Sequence, residues 1–295
     1  MERERKLCLL RKTPMLNSLL HINNLTITSN RPHKQLIHSL SLKIQKQRSL
    51  ALVGENGSGK TTIIKAILGF LPDNCTIAQG NIFFEGKDLV TLSQKDFQKI
   101  RGRKISTILQ NAMGSLTPSM QIGEQIIETL VHHEKITRQE AYDKALDLLS
   151  SVHIPKRCFH LYPFELSGGM RQRVVIAIAL ASSPQLILAD EPTTALDSIS
   201  QAQVLRILHN VSIEKNTTIL LVTHNLALVT ELCDDIAIIK DGQLVEAGRV
   251  NKVFSSPDHP YTQRLLNSIE KIPLTASSSP ILRKKICPLT KSNTT

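Results

Sequence analysis

Eight consecutive residues, Gly54-Glu55-Asn56-Gly57-Ser58-Gly59-Lys60-Thr61, have the types and spacing for phosphate chemistry. They fit GxxxxGK[ST]. Glycines let a backbone approach phosphates without a Cβ in the way. The loop N–H groups, with the helix start that follows, attract anionic oxygens. In this pattern Lys60 is expected to reach the β- and γ-phosphates. The Thr61 hydroxyl is expected to ligate Mg²⁺, with Thr62 beside it. A second element is Leu186-Ile187-Leu188-Ala189-Asp190-Glu191, an apolar stretch ending in two acids. Asp190 is the candidate to hold Mg²⁺ through water, and Glu191 the candidate general base for an attacking water. Alone, the acid pair could be a helix cap before Pro192. Beside a phosphate loop it reads as part of one site.

These groups need a scaffold to meet. Residues 50–53 (LALV) form a short apolar strand running into the glycines, and Ile63, Ile64, Ile67 and Leu68 follow at helical spacing. Residues 19–28, 36–44, 81–84 and 105–109 read as further strands. Residues 186–189 and 218–222 are compact and apolar, suited to burial on both faces. Residues 236–239 and 243–246 flank Asp241-Gly242, a hairpin signal. Residues 121–150 are helical in pattern and 168–181 form a long helix candidate, so a helical lobe at about 111–165 is expected inside an α/β core.

With 295 residues and 41% hydrophobic content, the chain excludes wholesale disorder. Its net charge of +11 favours acidic partners without choosing among phosphates, nucleic acid and an anionic membrane. Aromatic residues at 3% argue against a protein built on stacking bases or sugars. No apolar run approaches the ~18 residues of a membrane span, the longest being 174–181. Residues 1–12 are too charged for a secretory signal, so a cytosolic placement is expected. Cys8, Cys75, Cys158, Cys233 and Cys287 are scattered without a CxxC pair. His132, His133, His153, Cys158 and His160 match no metal-ligand spacing. Periodicity begins only after Met15, so Met15 is read as an alternative or true start. The boundaries expected are an extension at 1–18, a core domain at 19–269 and a basic tail at 270–295.

Between the two elements stands Leu166-Ser167-Gly168-Gly169-Met170-Arg171-Gln172-Arg173, which resembles the LSGGQ-type signature of ABC transporter ATPases. Met170 stands where Gln is usual, a variation at home in the peptide/nickel importer branch. Gln110 then resembles the Q-loop glutamine, Thr194-Ala195-Leu196-Asp197 the D-loop and His224 the switch histidine. Residues 255–262 (SSPDHPYT) resemble the His-Pro-Tyr stretch ending the peptide and nickel cassettes. The resemblance covers about residues 19–269. It implies a RecA-like P-loop NTPase core with an antiparallel β-subdomain and an inserted α-helical subdomain.

The resemblance further implies that Ser167, Gly168, Gly169 and Asp197 serve the ATP held by an opposite cassette, so two chains sandwich two nucleotides. It makes Gln110 a contact to Mg²⁺ or water and His224 an orienter of water or Glu191. Residues 111–120 become the permease-facing surface. Where relatives stack adenine on an aromatic, residues 26–29 have none, leaving His33 or an apolar side chain. Only Cys287 lies where some relatives carry a cysteine cluster, so no iron–sulfur cluster is expected.

The resemblance thus implies the ATP-hydrolysing subunit of an importer at the cytoplasmic face of the cell membrane. Its implied partners are a second, different ATPase subunit, two permeases and an extracytoplasmic solute-binding protein, with no nucleic acid. Several stretches lean toward nickel or another chelated transition metal, with di- or oligopeptides as the alternative. A soluble cassette of translation or repair would need a second cassette or a coiled coil. A generic P-loop kinase or helicase would leave Ser167, Gly168 and Gly169 without a role.

Overall fold

Alternating apolar and polar residues build two long strands, β1 (Ser18–Asn30) and β2 (His33–Gln45), paired antiparallel. With β4 (Cys75–Phe84) and the short β5 (Lys87–Asp88) they form a sheet of order β2-β1-β4-β5. The protein is described by a computed structural model over residues 18–31 and 33–270. The Met15 start, Cys8, Cys287 and residues 271–295 of the expected tail lie outside the described residues. Two edges differ from expectation. Ser18 is the first residue of β1, opposite Gln45, and Glu270 ends the last helix instead of opening the tail.

The second sheet holds six strands in the order β10-β9-β3-β8-β7-β6. Its members are β3 (Ser49–Val53), β6 (Ile105–Ile108), β7 (Leu186–Asp190), β8 (Thr218–Thr223), β9 (Asp235–Lys240) and β10 (Gln243–Arg249). All neighbours are parallel except the β9–β10 hairpin. Every residue of β3, β7 and β8 is buried, as parallel strands covered on both faces require. Alternate side chains enter two cores. Leu50, Leu52, Leu186, Leu188, Leu220 and Val222 face the antiparallel sheet and α1 (Lys60–Ile67). Ala51, Val53, Ile187, Ala189, Ile219 and Leu221 face the remaining helices.

Those helices follow in chain order. After the short α2 (Gln94–Gln98) come α3 (Ala112–Ser115), α4 (Ile122–His133) and α5 (Arg138–Ser151). The last two pack their apolar stripes together, with Ile126, Leu130, Ala145 and Leu149 buried beside Phe159. Thr137 and Glu140 close a capping box that starts α5. The buried Gln125 amide binds both backbone groups of Thr117 and the Met120 carbonyl, fixing the loop that precedes α4. The chain then returns to the sheet through α6 (Gly168–Leu180), α7 (Ser198–Glu214), α8 (Leu226–Leu232), α9 (Val250–Ser255) and α10 (Pro260–Glu270). No described helix is long and apolar enough to cross a membrane. This is an α/β RecA-like P-loop core with an antiparallel β-subdomain and a helical subdomain.

Candidate functional site

The carboxyl ends of β3 and β7 point toward one cleft of about 330 Å³, the position where open parallel sheets hold ligands. Asn56, Gly57, Gly59, Lys60, Thr61 and Thr62 line it from the loop after β3, and Asp190 and Glu191 from the end of β7. Gly54, Glu55 and Ser58 form the base of the loop and do not line the cleft. Gly54 lies so close to β9 that an added Cβ would sit 2.2 Å from the Ile239 carbonyl oxygen. Gly59 has a left-handed φ of 101° at the start of α1, where a side chain would be strained.

Lys60 is buried and folded back over the loop. Its Nζ donates to the carbonyl oxygens of Gly54 and Glu55, each at 2.8 Å. Burial pushes its ammonium pKa below the ordinary lysine value, against the pull of the Glu191, Asp190 and Glu55 carboxylates. The Thr61 hydroxyl donates to Asp190 Oδ2 at 3.1 Å. Burial raises the Asp190 carboxyl above its ordinary value and the neighbouring Glu191 charge adds to this, opposed by Thr61 and Lys60. Glu191 follows at the strand end in a left-handed conformation (φ 46°), its N–H bonded to the Val222 carbonyl. Oε1 lies 2.7 Å from His224 Nδ1, and Oε2 accepts from Thr194 Oγ1 at 2.8 Å and Gln110 Nε2 at 3.3 Å. Burial acts to raise the Glu191 carboxyl, but the bonds from His224 and Thr194 outweigh it, leaving it below the usual carboxylate value.

Both expected groups fit this chemistry. The helix start at Gly59 has no side-chain cap and no acid in its first turn, which leaves its first N–H groups without a side-chain acceptor from the cap or an anion of the helix's own. The buried Ser58 hydroxyl has no protein partner. A threonine hydroxyl beside a carboxylate raised by burial is an all-oxygen donor set, suited to a hard divalent cation such as Mg²⁺.

The remaining expected residues lie elsewhere. Ser167 caps α6 by accepting from the Met170 N–H, and a Cβ on Gly169 would meet Ser200 Oγ at 2.5 Å. Asp197 caps α7, accepting from the N–H groups of Ile199 and Ser200 and the Ser200 hydroxyl. None of these residues lines the cleft of its own chain.

Three residues take roles at the site that the sequence reading did not assign. Leu36 on β2 is the one hydrocarbon side chain among the cleft's lining residues, while His33 does not line it. Thr194 holds Glu191, although sequence placed it only in the D-loop. Tyr261 reaches the phosphate loop from the far end of the chain.

The ABC transporter family model matches residues 37–194. The oligopeptide transport ATP-binding protein OppD of Bacillus subtilis is 45% identical over 238 residues, 80% of this chain and 66% of that protein. The oligopeptide transport ATP-binding protein AmiE of Streptococcus pneumoniae is 46% identical over 239 residues, 80% of this chain and 67% of that protein. The matched region thus spans about two thirds of the length of these relatives. Among solved structures, the dimeric ATP-binding cassette MJ0796 bound to ADP and phosphate superimposes with a TM-score of 0.70 at 26% identity. That superposition covers 78% of this chain and 98% of the other. A phosphate loop opposite an acid-ended strand, found in a chain this similar to transport ATPases, fixes the lineage: the protein belongs to the ABC transporter family, with oligopeptide transport ATP-binding proteins among its relatives.

Proposed function

We propose that this chain is the ATP-hydrolysing subunit of an importer for di- or oligopeptides. The lean toward nickel is not shown by the relatives named above, whose names are those of oligopeptide transport proteins. The observation carrying the proposal is a site complete on one side only. The phosphate loop, Asp190 and Glu191 share a cleft, while Ser167, Gly168, Gly169 and Asp197 stand outside it. A chain built this way hydrolyses efficiently only against a second cassette, here read as a different subunit. Two permeases and a solute-binding protein complete the assembly at the cytoplasmic face of the membrane. Residues 111–120, with Gln125 bracing the end of that stretch, are the surface read as meeting the permease.

Lys60 exchanges the Gly54 and Glu55 carbonyls for phosphate oxygens of ATP. Thr61 and Asp190 would hold Mg²⁺, which would neutralise charge on the phosphates. Gln110 and His224 converge on Glu191 and orient it. Glu191 accepts a proton from the attacking water as the water oxygen bonds the γ-phosphorus and ADP departs with the electrons of the broken P–O bond. Leu36 offers an aliphatic surface at the cleft wall, a candidate for the apolar side chain expected in place of the aromatic absent from residues 26–29.

Lys60→Ala tests the loop assignment, because it removes the cation expected to meet the phosphates. ATP binding, followed by calorimetry, is expected to disappear; normal turnover in this variant contradicts the proposal. Uptake of labelled peptides and of radioactive nickel in a deletion strain then decides the solute, and loss of nickel uptake alone speaks against peptides.

A further inference from the structure

The outer side of the phosphate loop is held by residues remote in sequence. Gly242, in the turn between β9 and β10, donates its N–H to the Ser58 carbonyl at 3.1 Å. Tyr261, at the start of α10 and almost wholly buried, accepts the Glu55 N–H on its phenol oxygen at 3.3 Å. Its ring lies 5.2 Å from the Lys240 ammonium, within cation–π range. Tyr261 is itself fixed from behind. Its N–H donates to His259 Nδ1, and both Glu246 oxygens accept from the backbone N–H groups of Asp258 and His259. Burial raises the phenol above its ordinary value, opposed by the Glu55 N–H bond and aided by the Glu55 side chain and the Asp241 charge.

Named contacts therefore run from β10 through Glu246, His259 and Tyr261 to the peptide that begins the loop. Lys60 grips the Gly54 carbonyl of that same peptide and the Glu55 carbonyl of the next, and must leave them to meet a nucleotide. Without the Tyr261 hydroxyl, the Glu55 N–H would lose this bond, and the peptide would then lose its second side-chain hold when Lys60 lets go.

We propose that Tyr261 is a positioning residue for nucleotide binding, holding the Gly54–Glu55 peptide in place while Lys60 changes partners. The proposal rests on the reading of residues 54–61 as the ATP loop. It makes the segment after β10 part of the nucleotide site, though it contributes no atom to the cleft lining.

Tyr261→Phe keeps the ring and removes only the hydroxyl. Site-resolved amide exchange in the nucleotide-free chain should show the Glu55 N–H exchanging about two- to tenfold faster, the range for one neutral hydrogen bond. ADP–Mg²⁺ affinity, measured by calorimetry, should fall by a similar factor while the melting transition stays cooperative. Glu246→Ala, which frees the start of α10 without touching Tyr261, should give the same two changes and carries the test if Tyr261→Phe does not fold. Unchanged Glu55 exchange overturns the proposal. So does faster exchange with wild-type ADP affinity, the outcome expected if Tyr261 serves packing alone. Failure of the underlying reading would show separately, as absence of ADP binding in the unsubstituted chain.

Discussion

Replacing Gly54 with alanine tests how tightly the phosphate loop is seated on the sheet. The new Cβ would lie 2.2 Å from the Ile239 carbonyl oxygen and 2.7 Å from Ser58 Oγ. Ser58 can rotate, but the carbonyl belongs to β9, paired with β3 on one side and β10 on the other. The contact must open by roughly an ångström to reach ordinary van der Waals distance, so the loop moves instead of the strand. Overpacking of this kind costs about 1–3 kcal/mol of stability. An ångström also takes a loop N–H out of the narrow distance range of a hydrogen bond to phosphate. One bond to a charged oxygen is worth about 1.5–3 kcal/mol, or about ten- to a hundredfold in affinity. Gly57→Ala is the control. A Cβ there meets nothing within 4 Å, and the variant bears only the left-handed φ of 82°, about 1–2 kcal/mol. Titration of both variants with ADP–Mg²⁺, alongside thermal melts, makes the comparison. Gly54→Ala binding within twofold of the unsubstituted chain, or Gly57→Ala losing more affinity, would refute the steric argument.

Three further outcomes follow from the acid pair. Glu191→Gln should retain ATP binding, lose about 10²–10⁴ of the hydrolytic rate and accumulate as a closed dimer with its partner on size-exclusion chromatography; an unaltered rate rejects Glu191 as base. Asp190→Asn should melt at or above the unsubstituted temperature at pH 7 without nucleotide, because burial raises the Asp190 carboxyl and its ionisation therefore weakens the fold as pH rises through that value. The same variant should lose the added stability conferred by Mg²⁺–ATP, and a lower nucleotide-free melting temperature would contradict the sign. Thr194→Val should cost about 1 kcal/mol in urea unfolding at neutral pH. Glu191 sits below its usual value, so its share of stability is present above the unfolded carboxylate range and fades as pH falls through the folded value; the difference between the proteins should close in acid.

The loop, the acid pair and the parallel strands were legible because each is local. A buried strand running into glycines, or into two acids, carries its own signal within ten residues. The reading of β4 caught only residues 81–84, since its first half alternates exposed and half-buried positions and bends at Gly80, where φ is 93°. Helix α7 went unassigned although Asp197 is a good cap and Val204, Leu205, Leu208 and Val211 keep helical spacing. Other features had no local signal. The hold of Thr194 on Glu191 depends on a left-handed backbone at Glu191 that no residue type announces. Tyr261 and Glu55 are separated by 206 positions, and only the folded chain brings them together.

The six-stranded sheet acts as a partition, and within each strand substitutions sort by the parity of residue number, which is reversed in β6 and β9 relative to β3, β7 and β8. In β7 the even positions Leu186 and Leu188 support the antiparallel layer and the helix under the phosphates, whereas Ile187 supports the opposite layer of helices. Cavities at adjacent codons should therefore yield different lesions, one loosening the nucleotide cradle and the other the layer continuous with the lobe. A temperature-sensitive allele in this strand would reveal, by its position alone, which half of the motor fails first.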